Sequence, residues 1–239
     1  MSNFLDSKYS SLVPYTPGEQ PKDMQYIKLN TNESPFAPSE KAQEMAAKAA
    51  LNLQLYSDPE CRDLVKTAAE YFGVEADEII FTNGSDEVLN FAFMAFGSDK
   101  REMLFPNITY GFYTVFAELN GLKYKEVRLK DDFTIDINDY IGKDTMIVIA
   151  NPNAPTGISL KISEIEEIIK TNPKNVVLID EAYVDFGGTS ALNLIDKYDN
   201  LLVAGRCIGT DRQFHIRRNG PYNPVVQPFC YSSFPACSP

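Results

Sequence analysis

Three short polar segments stand at the ends of apolar runs, and each carries side chains suited to chemistry. Thr82-Asn83-Gly84-Ser85-Asp86-Glu87 follows Ile79-Ile80-Phe81. Ser85 is a good helix N-cap, and Asp86 and Glu87 suit the positive end of a helix. The same backbone N–H groups could instead hold a phosphate, with Gly84 allowing its close approach. Asn151-Pro152-Asn153-Ala154-Pro155-Thr156-Gly157 follows a continuous apolar run ending at Ala150. Its two prolines fix φ and remove two donors, which makes a stiff turn with held polar side chains. Such a turn serves either as a tight connection or as a binding loop. Asp180-Glu181-Ala182-Tyr183 follows Val176-Val177-Leu178-Ile179. A carboxylate at the end of a buried strand needs a cation or hydrogen-bond donors beside it. A salt bridge or helix cap would satisfy Asp180, and so would a protonated ring nitrogen on a ligand.

Two tyrosines join these candidates. Tyr110 follows Pro106-Asn107-Ile108-Thr109 and could stack on a flat ring, although most tyrosines so placed are half-buried core residues. Tyr56 lies in the turn sequence Leu55-Tyr56-Ser57-Asp58-Pro59, with the same two readings.

The elements that must hold these loops alternate between strand and helix patterns. Strands are predicted at Ile79–Phe81, Met103–Phe105, Tyr124–Leu129, Thr145–Ala150, Val176–Ile179 and Leu201–Val203. Val65, Ala68, Ala69 and Phe72 follow a helical spacing with Gly73 placed to cap it, and further helices are predicted over Asp86–Phe96, Tyr110–Leu119 and Ser163–Lys170. The pattern predicts an α/β fold, a mostly parallel sheet with helices on both faces. Ligands of such sheets bind beyond the carboxyl ends of the strands, which is where the three loops lie.

Composition narrows the function classes. The formal charge is −11, which argues against nonspecific nucleic-acid binding. No run approaches the ~18 apolar residues of a membrane span. The first twenty residues contain no apolar signal core, so a cytoplasmic protein is expected. With one histidine and four cysteines in no C-x-x-C arrangement, a metal centre has little support.

Composition also breaks along the chain. After Val203 there are four arginines, one acid, no lysine, five prolines, the only histidine and three of the four cysteines. The expected organisation is an N-terminal arm over 1–35, a domain over 36–203, and an unrelated tail over 204–239. Such a tail is either disordered or the product of a frameshift or assembly error.

The order and spacing of the motifs are more specific than any one of them. Gly84-Ser85-Asp86, Tyr110, the Asn151–Gly157 turn and Asp180-Glu181-Ala182-Tyr183 resemble the large domain of fold-type I aminotransferases, which use pyridoxal 5′-phosphate. Pro14-Tyr15-Thr16-Pro17-Gly18 and Lys28-Leu29-Asn30-Thr31-Asn32-Glu33-Ser34-Pro35 narrow the resemblance to the histidinol-phosphate aminotransferase group. It covers residues 10–203, roughly the first 55–60% of a family-length chain. The resemblance implies Gly84, Ser85 and Asp86 at the cofactor phosphate and Tyr110 stacked on its ring. It implies Asp180 at the ring nitrogen, Tyr183 at the ring oxygen, and Tyr56 reaching the phosphate of a second subunit in a homodimer. Asn32 and Glu33 would border the substrate, with histidinol phosphate and 2-oxoglutarate or glutamate as the exchanging pair. Where the family carries Asn before Pro-Thr-Gly this chain has Ala154, and Asn153 is the candidate replacement. The family also continues past its last parallel strand with a Ser-Lys segment whose lysine forms a Schiff base with the cofactor. This chain has no lysine after Lys197, which implies loss of turnover. A relative acting on another amino acid or its phosphate, or a noncatalytic protein with the same fold, are the alternatives.

Overall fold

The computed structural model describes residues 36–206 and 213–216, together with Tyr9, Ile27 and Asn30. Most of the expected arm, Asn32 and Glu33 included, lies outside the described residues, as do 207–212 and 217–239 of the expected tail.

The strands are β1 (Ile79–Thr82), β2 (Met103–Pro106), β3 (Tyr124–Val127), β4 (Ile147–Ala150), β5 (Val177–Glu181), β6 (Leu201–Arg206) and β7 (Gln213–Ile216). They form one sheet in the order β1-β7-β6-β5-β4-β2-β3. Every pairing from β6 outward to β3 is parallel, whereas β7 runs antiparallel to both β1 and β6. The sheet is thus mostly parallel, as expected. Two features depart from the sequence reading. β6 continues three residues past the compositional break at Val203, and a strand lies within the expected tail. β7 lies past the compositional break, in a segment read as unrelated to the fold, which is why the sequence reading did not include it.

Helices α1 (Glu40–Ala50) and α2 (Arg62–Phe72) precede β1, while α3 (Ser85–Phe96), α4 (Phe112–Leu119) and α5 (Ile162–Thr171) connect β1 to β2, β2 to β3 and β4 to β5. The alternation of side chains along each strand divides the core in two. Ile147, Ile149, Val177, Ile179, Leu201 and Val203 pack with Ala68 and Ala69 of α2 and the three buried isoleucines of α5. Val148, Ala150, Leu178, Leu202 and Ala204 pack on the other face with Val88, Leu89 and Phe93 of α3 and Tyr113 and Phe116 of α4. Burial on both faces explains the uninterrupted apolar runs of β4 and β5. Gly73 caps α2 in the left-handed region (φ 70°), as its position predicted.

Three local details differ from expectation. The N-cap of α3 is Gly84, with φ 86° and ψ 170°, so Ser85 is the first helical residue instead of the cap. A positive φ at that position is open to glycine and costly for other residues, and this sets where the helix starts. α4 begins at Phe112, leaving Tyr110 in the preceding turn. α1 was not foreseen because its apolar stripe is weak: it buries no residue, and it is supported locally by the Ser39 hydroxyl, which accepts from the Ala42 N–H at 3.2 Å.

Candidate functional site

The carboxyl ends of β1, β4 and β5 converge with the starts of α3 and α4 on a cleft of about 280 Å³. β1 and α3 contribute Asn83, Gly84, Ser85 and Asp86, and Tyr110 closes one side. Ala150 and Ala154 come from β4 and the turn after it, while Asp180, Ala182 and Tyr183 come from the end of β5. The structure therefore brings together six of the sequence-derived candidates: Gly84, Ser85, Asp86, Tyr110, Asp180 and Tyr183.

The N-terminus of α3 faces this cleft without a side-chain cap. Its two acids are engaged elsewhere. Glu87 Oε2 turns back to accept from the Asn83 N–H at 2.6 Å, and Asp86 Oδ1 accepts from the Tyr110 hydroxyl at 2.6 Å. First-turn N–H groups lack intrahelical partners, and the helix dipole favours negative charge there. The capping and phosphate readings of this loop are thus separated: no side chain caps the helix, which leaves a place for an anion.

Tyr110 is set by its neighbours as well as by Asp86. Its ring stacks on Phe112 (centroids 5.6 Å, interplanar angle 17°) and meets Tyr113 edge-on (5.7 Å, 81°). Burial, followed by the hydrogen bond to Asp86, pushes the Tyr110 phenol well above its ordinary range, so it remains a protonated donor.

Asp180 lies 4% exposed at the end of β5. Its Oδ2 accepts from the Tyr113 hydroxyl at 2.7 Å and its Oδ1 from the Ala182 N–H at 3.1 Å. Burial raises its pKa above the ordinary range; the two hydrogen bonds oppose that shift and the nearby Asp86 adds to it. No lysine or arginine is among the described residues lining the cleft. A carboxylate so placed is complementary to a cationic N–H donor entering from the cleft.

The remaining candidates lie elsewhere. Asn153 is buried and absent from the cleft lining. Its Oδ1 accepts from the Thr109 hydroxyl at 2.8 Å, and its amide donates to the Ile108 carbonyl at 2.9 Å and the Thr156 hydroxyl at 3.1 Å. Asn153 thereby ties the turn after β4 to the segment that carries Tyr110, while Ala154 faces the cleft. Tyr56 is fully exposed and outside the cleft. Sequence reasoning missed Tyr113, whose available signal was a polar-tipped aromatic three residues beyond Tyr110, in the first turn of α4.

The cleft thus brings together the N-terminus of α3, a buried carboxylate and the side chains of Tyr110 and Tyr183. These features fit a flat ring bearing a phosphate and a protonated nitrogen. Comparison with known proteins points the same way. Histidinol-phosphate aminotransferase from Brachyspira hyodysenteriae is 52% identical over 205 residues, covering 85% of this chain and 58% of that protein. The crystal structure of a putative histidinol-phosphate aminotransferase from Erwinia carotovora atroseptica matches with a TM-score of 0.71 at 28% identity, covering 78% of this chain and 59% of that one. The histidinol-phosphate aminotransferase of Sinorhizobium meliloti, solved with pyridoxal-5′-phosphate, shares the fold with a TM-score of 0.69 at 20% identity, over 78% of this chain and 55% of that one. The chain thus spans a little under three fifths of the length of the relatives it matches. Because the family description "Aminotransferase class I and II" matches residues 24–206, the chain belongs to the class I and II aminotransferase family.

Proposed function

We propose that this chain is the cofactor-binding portion of a pyridoxal 5′-phosphate-dependent aminotransferase that exchanges an amino group between L-histidinol phosphate and 2-oxoglutarate in histidine biosynthesis. One observation carries the reading: Asp180, buried and held by Tyr113, stands in the same cleft as the uncapped N-terminus of α3. When bound, the cofactor supplies an electron sink in its ring. This chain's residues supply its place. Gly84, Ser85 and Asp86 present backbone N–H groups to the phosphate. Asp180 holds a proton on the ring nitrogen by charge-assisted hydrogen bonding. Tyr110 lies along the ring and Tyr183 donates to the ring oxygen. With Ala154 where the family often has Asn, Tyr183 carries that oxygen contact without an amide beside it.

Covalent attachment needs a lysine beyond the last parallel strand, and no lysine follows Lys197. The reading therefore expects cofactor binding without transamination. The experiment is a titration with pyridoxamine 5′-phosphate, repeated in high inorganic phosphate, followed by an assay for glutamate formation from histidinol phosphate and 2-oxoglutarate. Saturable binding weakened by phosphate, with no glutamate formed, supports the reading. Absence of saturable binding overturns the cofactor assignment, and turnover overturns the role given to the missing lysine.

The homodimer belongs to the same proposal. α1 buries none of its residues, and Leu51, Leu53, Leu55 and Tyr56 are exposed along the segment that follows it. A second copy covering this surface would bring Tyr56 to the neighbouring cleft. Sedimentation of the chain at several concentrations tests this, and a monomer throughout contradicts it. The reading also takes the chain to be cytoplasmic. Among the described residues no helix is long and apolar enough to cross a membrane.

A further inference from the structure

Glu181 ends β5 next to Asp180 but does not line the cleft. It is 3% exposed, and strand alternation directs it to the face opposite Asp180. There its Oε2 accepts from the Ser190 hydroxyl and its Oε1 from the Ala191 N–H, both at 2.6 Å. These donors lie nine and ten residues further along the chain, so one carboxyl group closes the intervening segment into a loop with tied ends. That loop carries Ala182 and Tyr183, both of which face the cleft.

The loop has supports of its own: the Phe186 N–H donates to the Tyr183 carbonyl at 3.0 Å, the Gly188 N–H to the Val184 carbonyl at 2.8 Å, and Ala191 at its far end is fully buried. Phe186 is exposed. At Gly188 an added Cβ would stand 3.0 Å from Pro152 Cδ and 3.2 Å from Val184 Cγ2. To these supports the Glu181 hydrogen bonds add a direct tie between the two ends of the loop, two residues from Tyr183.

We infer that Glu181 is a positioning residue, which holds Tyr183 against the bound cofactor by clasping Ser190 and Ala191 across the loop. This rests on the cofactor reading above. The charged groups that act on Glu181 are Asp180 and Asp185, both acids, and burial as the leading cause pushes its pKa up to about 7. A protonated Glu181 can still donate to Ser190 and accept from Ala191, so the clasp needs the shape of the side chain and not its charge. An amide has the same shape.

The test uses the full chain and titration with pyridoxamine 5′-phosphate. Glu181→Ala should weaken binding about tenfold, the worth of one well-placed hydrogen bond, and Glu181→Gln should stay within about twofold of the unsubstituted chain. Tyr183→Phe should weaken binding, and adding Glu181→Ala to it should cost nothing more, because both act through one contact. Unchanged binding in Glu181→Ala, failure of the Gln variant to restore it, or losses that multiply in the double variant each overturn the inference. If Glu181→Ala fails to fold by circular dichroism, Ser190→Ala removes one of the two donors, and its unchanged affinity has the same force. An unsubstituted chain that does not bind at all overturns the cofactor reading and this inference together; one that binds while Glu181→Ala is unaffected overturns the inference alone.

Discussion

Tyr113 donates its phenolic hydrogen to Asp180 across 2.7 Å, joining the buried face of α4 to the end of β5 beside the cleft. Tyr113 is itself fully buried, and burial together with Asp180 holds its phenol far above its ordinary range. It therefore acts as a permanent donor. Replacing it by Phe leaves Asp180 with the Ala182 N–H alone. Tyr113→Phe should cost about 1.5–3 kcal/mol of stability where Asp180 is charged, and less as pH falls and the carboxyl takes up its proton. Denaturant unfolding measured as a function of pH checks the difference.

Asp180 is costly to keep in the fold, because burial opposes its charge. A folded-state pKa above the unfolded value means that the group lowers stability as pH rises from the unfolded value toward the folded one. Asp180→Asn should therefore unfold at higher temperature than the unsubstituted chain at pH 8, while binding pyridoxamine 5′-phosphate about tenfold to a hundredfold more weakly. Differential scanning calorimetry and titration on the same preparations read both effects.

Glu181 gives the pH dependence a defined window. Its pKa is about 7 in the fold against an ordinary 4.5, so between these values the folded chain binds the extra proton. Its contribution to stability falls as pH rises from 4.5 to about 7 and is level above that, a loss of about 3 kcal/mol in all. Glu181→Gln should remove this part of the slope. Unfolding free energies measured from pH 4.5 to 8 for both chains test the prediction.

Gly84 combines two demands, a backbone at φ 86° and an open approach to the N-terminus of α3. Gly84→Ala should lose about 1–3 kcal/mol of stability from the backbone alone. It should also blunt the competition between inorganic phosphate and pyridoxamine 5′-phosphate. Thermal unfolding and a phosphate competition titration separate the two contributions.

The sequence showed the loops more clearly than the side-chain directions within them. Gly84, Asp180 and Tyr183 were legible because each follows a continuous apolar strand in a parallel sheet, where chain direction alone places a loop at the ligand-binding edge. Asn153 was legible as a turn residue only. Adjacent side chains in a turn point in different directions, and the structure aims Asn153 at Thr109 and Ile108 while Ala154 faces the cleft. Tyr113 looked like core because all but one of its atoms behave that way. β7 and α1 were hidden for different reasons. β7 lies past the compositional break, in a segment read as unrelated to the fold, whereas the apolar side of α1 consists mostly of alanines.

The account's central claim is that Asp180 receives the protonated ring of a phosphate-bearing cofactor. The most direct test is the ultraviolet–visible spectrum and affinity of pyridoxamine 5′-phosphate bound to the unsubstituted chain and to Asp180→Ala, compared at pH 8. The account predicts saturable binding to the unsubstituted chain with the spectrum of the ring-protonated form, and loss of both that spectrum and at least about tenfold in affinity on substitution. Equal affinity and equal spectra in the two chains would contradict it.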